Sequence, residues 1–570
     1  MGWALVATLV FAGVIVARLV YLQVVVADEY SSQAAAQRTS DIEVTAKRGT
    51  IYDRNGNVLA MSIDATTIYV NPAEIDDPQA TAAVLVDVLG GSVSDYLPAL
   101  TKQNCTFAYV YRKCDQDKAE ALKARYDKIQ EPIDAKALSE GEAAQKNPLY
   151  GIHYIADSKR VYPYGEIGGQ VIGYVGTDNH GLSGLELYYD DILSGTDGEL
   201  IYEQGKGGIA VPGGVIGQKD AVDGQDIVIS IDINLQQTLE QALTDNAESS
   251  GAIGARGVVI DGATGEIYAC ASLPLYNLSD VSSSESGASS CKAISDAYEP
   301  GSCFKMVTAA ALLETGLASL DETIEVPNSR VIYDHTIKDN WNHDNDIEEW
   351  SFRYILAHSS NIGTSLFADR LSYADFHALI EKYGFGSKTG VDFPGESSGI
   401  LADYQNWSPV QKANISFGQG VSVTTLQLAA FFSAVADGGV WNQPHFLIDE
   451  PHSSYTASWT SEHIFSEQTA AKVTSAGETV ASDEGSAPDV AIPGYKVSGK
   501  TGTAQIPDGS GGYKASDLSI YSFSGYLADT NSKLTCAASF DEPTITGTPA
   551  KDTFKTVMKS AIDLYKITNN

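Results

Sequence analysis

Tyr298-Glu299-Pro300-Gly301-Ser302-Cys303-Phe304-Lys305 sets a serine hydroxyl and a lysine amine three residues apart, behind a Pro-Gly break and ahead of the apolar run Met306 to Leu313. The pattern predicts a helix starting here, with Ser302 and Lys305 on one face of its first turn. A neutral serine is a poor nucleophile until a base takes its proton, and a lysine among apolar groups and other cations keeps its amine free near neutral pH. The unpaired N–H groups of the helix start face the oxyanion that forms when the serine attacks a carbonyl. Ser302 is therefore read as an acyl-accepting nucleophile and Lys305 as its base, a surface lysine that adds little to stability.

Spacing alone decides nothing, because Ser289-Ser290-Cys291-Lys292 has the same S-x-x-K spacing. That copy follows the serine- and glycine-rich run from Ser282, has no apolar periodicity, and reads as a loop. Ser302 has companions instead. Ser359-Ser360-Asn361 follows the apolar piece Tyr354 to Ala357 as a turn between helices. There Ser359 can relay a proton between nucleophile, lysine and leaving group, and the Asn361 amide can hold a substrate carbonyl. Lys500-Thr501-Gly502-Thr503 lies in a strand pattern, where Thr501 and Thr503 share a face, Lys500 brings positive charge and Gly502 lets a ligand backbone lie close. This suits a substrate with a terminal carboxylate. A second K-T-G, Lys388-Thr389-Gly390, sits among glycine-rich turns and is assigned to structure.

The chain has 570 residues, 37 basic against 73 acidic, for a net charge of −36. Its length requires at least two folded domains, and its surface repels nucleic acid. Trp3 to Val26 is apolar apart from Thr8, Arg18 and Gln23, long enough to span a bilayer. With no basic segment before it and no small-residue cleavage motif after it, an uncleaved anchor is favoured over a cleaved signal peptide. The cysteines are too sparse for a disulfide framework; Cys105 and Cys114 flank an alternating stretch and are candidates for one local bridge. His335, His343, Asp344 and Asp346 fit no metal-ligand spacing, and with Trp341 and Trp350 beside them they read as a loop at the rim of a cleft.

Three regions follow: an anchor over 1–27, a pedestal without a nucleophile over 28–218, and a catalytic domain over 219–570. In the last, Asp232 is a candidate N-cap for a helix to Leu243. Gly257 to Asp261 and Gly265 to Ala271 form a hairpin about Gly262-Ala263-Thr264, ahead of the Ser302 helix. This is an α+β order with an antiparallel sheet.

With these motifs the chain resembles the class B penicillin-binding proteins, membrane-anchored peptidoglycan D,D-transpeptidases. The resemblance runs over nearly the whole length and includes Arg48-Gly49-Thr50-Ile51-Tyr52-Asp53-Arg54, Gly181 to Glu186 and Ser416-Phe417-Gly418-Gln419-Gly420. It implies a transpeptidase domain with helices on both faces of an antiparallel sheet, an elongated, mostly β pedestal and a single N-terminal transmembrane helix. Ser302 would then be acylated with Lys305 as base and Ser359 as relay. Asn361 would contact the stem peptide, and Lys500, Thr501, Gly502 and Thr503 would form the carboxylate-binding strand. The oxyanion hole would be the N–H groups of Ser302 and Thr503. The reaction implied is attack on a D-Ala-D-Ala bond and transfer of the acyl group to a neighbouring stem, with no cofactor or metal. Implied partners are stem peptides on lipid-linked precursor, β-lactams and a SEDS-type glycan polymerase, with catalysis outside the cytoplasmic membrane. Two rivals stand beside it: a β-lactamase or β-lactam sensor, and a scaffold that regulates the polymerase with its own site idle. Cys303 departs from the small hydroxyl residue usual after the nucleophile and sets an oxidisable thiol beside it.

Overall fold

The computed structural model describes residues 2–26, 39–140, 146–204, 210–449, 458–506, 519–545 and 548–570. It divides into two compact units, Met1–Gly49 with Ser62–Lys159 and Ser194–Gly224, and Thr50–Met61 with Arg160–Leu193 and Gln225–Asn570.

In the first unit helix α1, Gly2–Val20, runs on into a π-helical turn, Tyr21–Val25. Its apolar stretch Leu5–Val24 has a mean hydropathy of 2.3 and is buried by none of the described residues. Thr39–Val44, Gly198–Gln204 and Ala210–Lys219 form an antiparallel three-stranded sheet. A separate cluster holds the helices Pro78–Leu89 and Val93–Leu100 against the strand Ala108–Asp115 through Leu85, Leu89, Leu100 and Ile68. Asp77 opens the first of these helices by accepting from the N–H groups of Gln79 and Ala80. Cys105 and Cys114 are free thiols: Cys114 is fully buried, and Cys105 donates to the Phe107 carbonyl.

The second unit holds the three motifs around Ser302, Ser359 and Lys500. Asp232 opens α2, Ile233–Ser250, by accepting from Asn234 N and Leu235 N, and the helix runs past Leu243 to the left-handed cap at Gly251. Next come β1, Gly254–Asp261, and β2, Ile267–Ser272, joined through the turn at Gly262. Then follow α3, Lys305–Glu314, α4, Asn361–Ala368, α5, Thr425–Ala436, and α6, Glu467–Val480. β3, Lys496–Gln505, β4, Ser519–Ala528, and β5, Leu534–Asp541, lead to the last helix, α7, Pro549–Tyr565. The sheet order is β2-β1-β5-β4-β3, antiparallel throughout, so β3 is an edge strand.

Both faces of this sheet are covered. Phe523 of β4 stacks edge-on with Phe554 of α7, while Tyr526, of opposite parity on the same strand, shares a hydrogen bond of 2.7 Å with Thr474 of α6. Strand residues on both sides are therefore apolar, and Val258, Val259, Ile260, Ala537 and Ala538 run without polar alternation.

Segments assigned by linear order to the pedestal, Thr50–Met61 and Arg160–Leu193, belong to this second unit. Ile51–Tyr52 pairs in parallel with Ile227–Ile229, and Gln170 donates to the carbonyls of Ser272 and Ala288. Chain order and packing differ here because two excursions into the first unit interrupt the second.

Candidate active site

Ser302 sits in the single 3-10 turn Gly301–Phe304 that runs into α3. Gly301 has φ +52°, and a Cβ there would lie 2.5 Å from the Thr503 carbonyl, so the nucleophile turn abuts the edge strand β3. The turn is held from behind: Gly301 N donates to Gly418 O at 3.1 Å, and Gly420 N to the Glu299 carboxylate at 2.8 Å. The Ser416 to Gly420 loop is thus the support of the serine turn. Gly502 plays a different part from the one expected. A Cβ there would collide with the Ser522 hydroxyl, Pro300 O and Cys303 Sγ, so its bareness admits the serine turn rather than a ligand backbone.

Lys305 is not a surface lysine; it and Lys500 are both fully buried. The two amines converge on one residue, Ser359. Lys305 Nζ donates to the Ser359 carbonyl at 2.5 Å and to Ser359 Oγ at 3.1 Å. Lys500 Nζ donates to Ser359 Oγ at 3.1 Å, to Thr501 O at 3.1 Å and to Thr501 Oγ1 at 3.3 Å. A hydroxyl that accepts from two amines directs its own proton outward. Burial holds the Lys305 amine well below the ordinary lysine range, with the Lys500 charge adding and Asp339 opposing. Burial also brings Lys500 down to about 8. The Ser302 hydroxyl is half-buried and, among the described residues, makes no hydrogen bond to Lys305. The amine is held by Ser359 instead.

Ser359 lies between the helix Phe352–Ala357 and α4 with φ 63°, a left-handed conformation that costs a non-glycine residue about 1 kcal/mol. What fixes it is Asp339, a residue absent from the sequence reading. One Asp339 oxygen accepts from Asn361 N at 2.6 Å and Ile362 N at 3.1 Å, the other from Ser360 Oγ at 2.7 Å and His343 Nε2 at 2.9 Å. The carboxylate thus caps the N-terminus of α4, where negative charge is favoured. His343 is not at a rim but buried, with only 1% of its side chain exposed, between Trp341 and Trp350. Asp339 has no spacing signal, since it reaches the S-x-N turn from a hairpin some twenty residues upstream. Asn361 donates one amide N–H to the Lys338 carbonyl at 3.0 Å.

Ser302, Asn361 and Thr503 line one cleft of about 600 Å³, with Lys338, Gln419 and Tyr521 on its walls. Thr501 and Thr503 lie on the exposed edge of β3, opposite the serine turn. The two decoys are structural. Lys292 Nζ donates to Leu273 O at 3.2 Å, and Thr389 is tied to the Glu396 carboxylate at 2.6 Å. Cys303 is sealed, its thiol donating to Lys500 O at 3.2 Å, so its sulfur is turned away from the cleft.

The penicillin binding protein transpeptidase domain family matches residues 256–559, and the penicillin-binding protein dimerisation domain family matches residues 43–229. Penicillin-binding protein PbpB of Mycolicibacterium smegmatis is 31% identical over 95% of this chain and 85% of its own. Peptidoglycan D,D-transpeptidase FtsI of Escherichia coli is 28% identical over 86% of this chain and 79% of its own. Among solved structures, penicillin binding protein 3 from Mycobacterium tuberculosis complexed with aztreonam has a TM-score of 0.69 at 26% identity, covering 93% of this chain and 98% of the other. Penicillin binding protein 2X from Streptococcus thermophilus has a TM-score of 0.73 at 25% identity, covering 92% and 80%.

Proposed function

We infer the roles of the residues from the family to which this chain belongs, the penicillin-binding proteins with peptidoglycan D,D-transpeptidase activity. It is a serine acyl-transferase that cross-links stem peptides. Lys305, as free amine, takes the Ser302 proton once the hydroxyl turns toward it, and Ser302 Oγ attacks the carbonyl carbon of the penultimate D-Ala. Negative charge on the carbonyl oxygen is met by the N–H groups of Ser302 and Thr503. The terminal carboxylate lies along β3, on the Thr501 and Thr503 hydroxyls with the Lys500 cation behind them. The departing D-Ala nitrogen takes its proton through Ser359, the C–N bond breaks, and the acyl group stays on Ser302 as an ester. An amine from a second stem then attacks that ester, gives up its proton along the same path, and Ser302 Oγ recovers one.

One observation carries this reading: the Ser359 hydroxyl stands between two buried amines at 3.1 Å each, beside the cleft that Ser302 and Thr503 line. β-Lactams, which carry a strained amide and a carboxylate in the places of the D-Ala-D-Ala terminus, would acylate the same serine. The apolar α1 supports a single-pass anchor within residues 1–27, with the catalytic domain on the side where stem peptides are. The anchor and the first unit's part of the pedestal are the surfaces for a SEDS-type glycan polymerase, and the second unit, Thr50–Met61 and Arg160–Leu193 with Gln225–Asn570, is the transpeptidase fold. Peptide mapping after labelling with penicillin tests the assignment: an adduct on the peptide holding Ser302 is expected, and an adduct elsewhere would overturn it.

A further inference from the structure

Cys270 and Cys291 stand 21 positions apart in the chain, with their sulfurs 3.4 Å from each other. Cys270 is on β2, and Cys291 caps the short helix Lys292–Ser295 that leads toward the serine turn. Both are buried in one apolar cluster with Val258, Ile260 and Ile294, and among the described residues each thiol's hydrogen-bonding partner is the other. The backbone on either side is fixed without help from the sulfurs. Gln236 accepts from Cys270 N at 2.8 Å and donates to its carbonyl at 2.9 Å. Gln170 accepts from Ser272 N at 2.9 Å and donates to Ala288 O at 2.9 Å, tying together both ends of the intervening loop. Lys292 closes the far side, its N–H on Ser272 Oγ at 3.0 Å and its amine on Leu273 O at 3.2 Å. Two groups held in contact by other bonds react with a high effective concentration.

We propose that Cys270 and Cys291 are a disulfide pair, joined as the chain folds in an oxidising compartment. This goes beyond the transpeptidase reading and takes from it only that the catalytic unit faces the stem peptides outside the membrane, where thiols oxidise. The thiolate of one cysteine attacks a disulfide-bearing oxidant, releasing one thiol. The second thiolate then attacks the mixed disulfide, the Cys270–Cys291 S–S bond forms, and the second thiol leaves. Two electrons pass to the oxidant, and the two protons reach its thiols through solvent. The order of events follows from the site: the hydrogen bond with Cys291, together with burial, raises the Cys270 thiol well above its ordinary range. Little Cys270 thiolate exists once the cluster is closed, so oxidation belongs to folding. The bond would fasten the loop that holds the Ser282 to Ser290 run to the central sheet.

The test uses the full-length chain, synthesised without cells into lipid nanodiscs in an oxidised glutathione buffer, with labelled penicillin reporting that it has folded. Free thiols are then alkylated under denaturing conditions without reductant, and the digest is read by mass spectrometry. A cross-linked peptide pair holding Cys270 and Cys291, abolished by dithiothreitol, is expected. Reduction should lower the melting temperature by about 5 °C, and the Cys270→Ala/Cys291→Ala variant should lose that sensitivity to reductant. Alkylation of both cysteines in the oxidised sample, or their capture by other partners, overturns the pairing. A penicillin adduct off Ser302 would sink the catalytic assignment and leave the thiol result standing, so the two failures are distinct.

Discussion

Lys305 and Lys500, both fully buried, place two amines 3.1 Å from one hydroxyl, and both cannot carry full charge there at little cost. The proposed acylation needs them in different states, Lys305 as a base without its proton and Lys500 as a cation toward the carboxylate. Rising pH first frees Lys305, whose proton is held well below the ordinary lysine range, and then discharges Lys500 near 8. The rate of penicillin acylation against pH should therefore be a bell whose falling limb lies near 8. In Lys305→Met the rate should drop by roughly a thousandfold, and the remaining activity should lack the rising limb. Stability has its own sign. An amine with a lowered pKa binds its proton more weakly folded than unfolded, so Lys500 burdens the fold below about 8 and the burden is relieved between there and the ordinary 10.5. At neutral pH the burden is about 3 kcal/mol; burial burdens Lys305 in the same sense, so Lys305→Met, which removes a buried amine and fills its space, should not lower the melting temperature. Full acylation by the variant, or a flat profile in the parent chain, would remove Lys305 from its role.

At the scale of elements, α4 and its N-terminal turn decide whether Ser359 stands where two amines can reach it. Asp339 fills four hydrogen bonds there, two of them to helix N–H groups, and none of its partners has another acceptor of equal charge. Asp339→Asn keeps the shape but turns one acceptor into a donor facing an N–H or a hydroxyl. The expected cost is about 2 kcal/mol in stability by calorimetry, with acylation at least tenfold slower; unchanged acylation would make Asp339 a merely structural cap. This aspartate also marks where reading a sequence stops. Ser302, Ser359 and Lys500 announce themselves because each sits in a local pattern of break, apolar run and turn. The α+β order was visible for the same reason, since Asp232, the Gly262 turn and the apolar strands are all short-range signals. Asp339 acts across the fold from a hairpin with no periodicity, and Gly502 owes its bareness to Pro300 and Cys303, two hundred positions away. Burial of Lys305 was hidden too, for its neighbours in the chain do not say what covers it.

The whole molecule does not fold by the linear boundary that its motifs suggest. Ile51, Leu59, Val171, Ile172, Leu185 and Leu193 all precede residue 219, yet they pack into one cluster with Ile227, Ile229, Val258 and Ile260 of the second unit. Each is at most 2% exposed, and burying an aliphatic side chain of this size contributes about 1.5–3 kcal/mol. Together these six supply on the order of 10 kcal/mol, as much as the net stability of an ordinary domain. Tyr189 adds a hydrogen bond of 2.5 Å to Asp392, whose carboxylate also accepts from Phe446 N and Leu447 N. A fragment of residues 219–570 keeps Ser302, Lys305, Ser359 and Lys500 but exposes that cluster, so it should aggregate or stay molten, bind a hydrophobic dye and take up no penicillin. A fragment of residues 39–570 loses α1 but keeps the cluster whole, and should be acylated at a rate within about twofold of the full chain, since none of the described residues that line the cleft comes from α1. Cooperative melting and penicillin labelling of the shorter fragment would show that Thr50–Met61 and Arg160–Leu193 are decoration; their loss would show that the catalytic core is built from three stretches of chain.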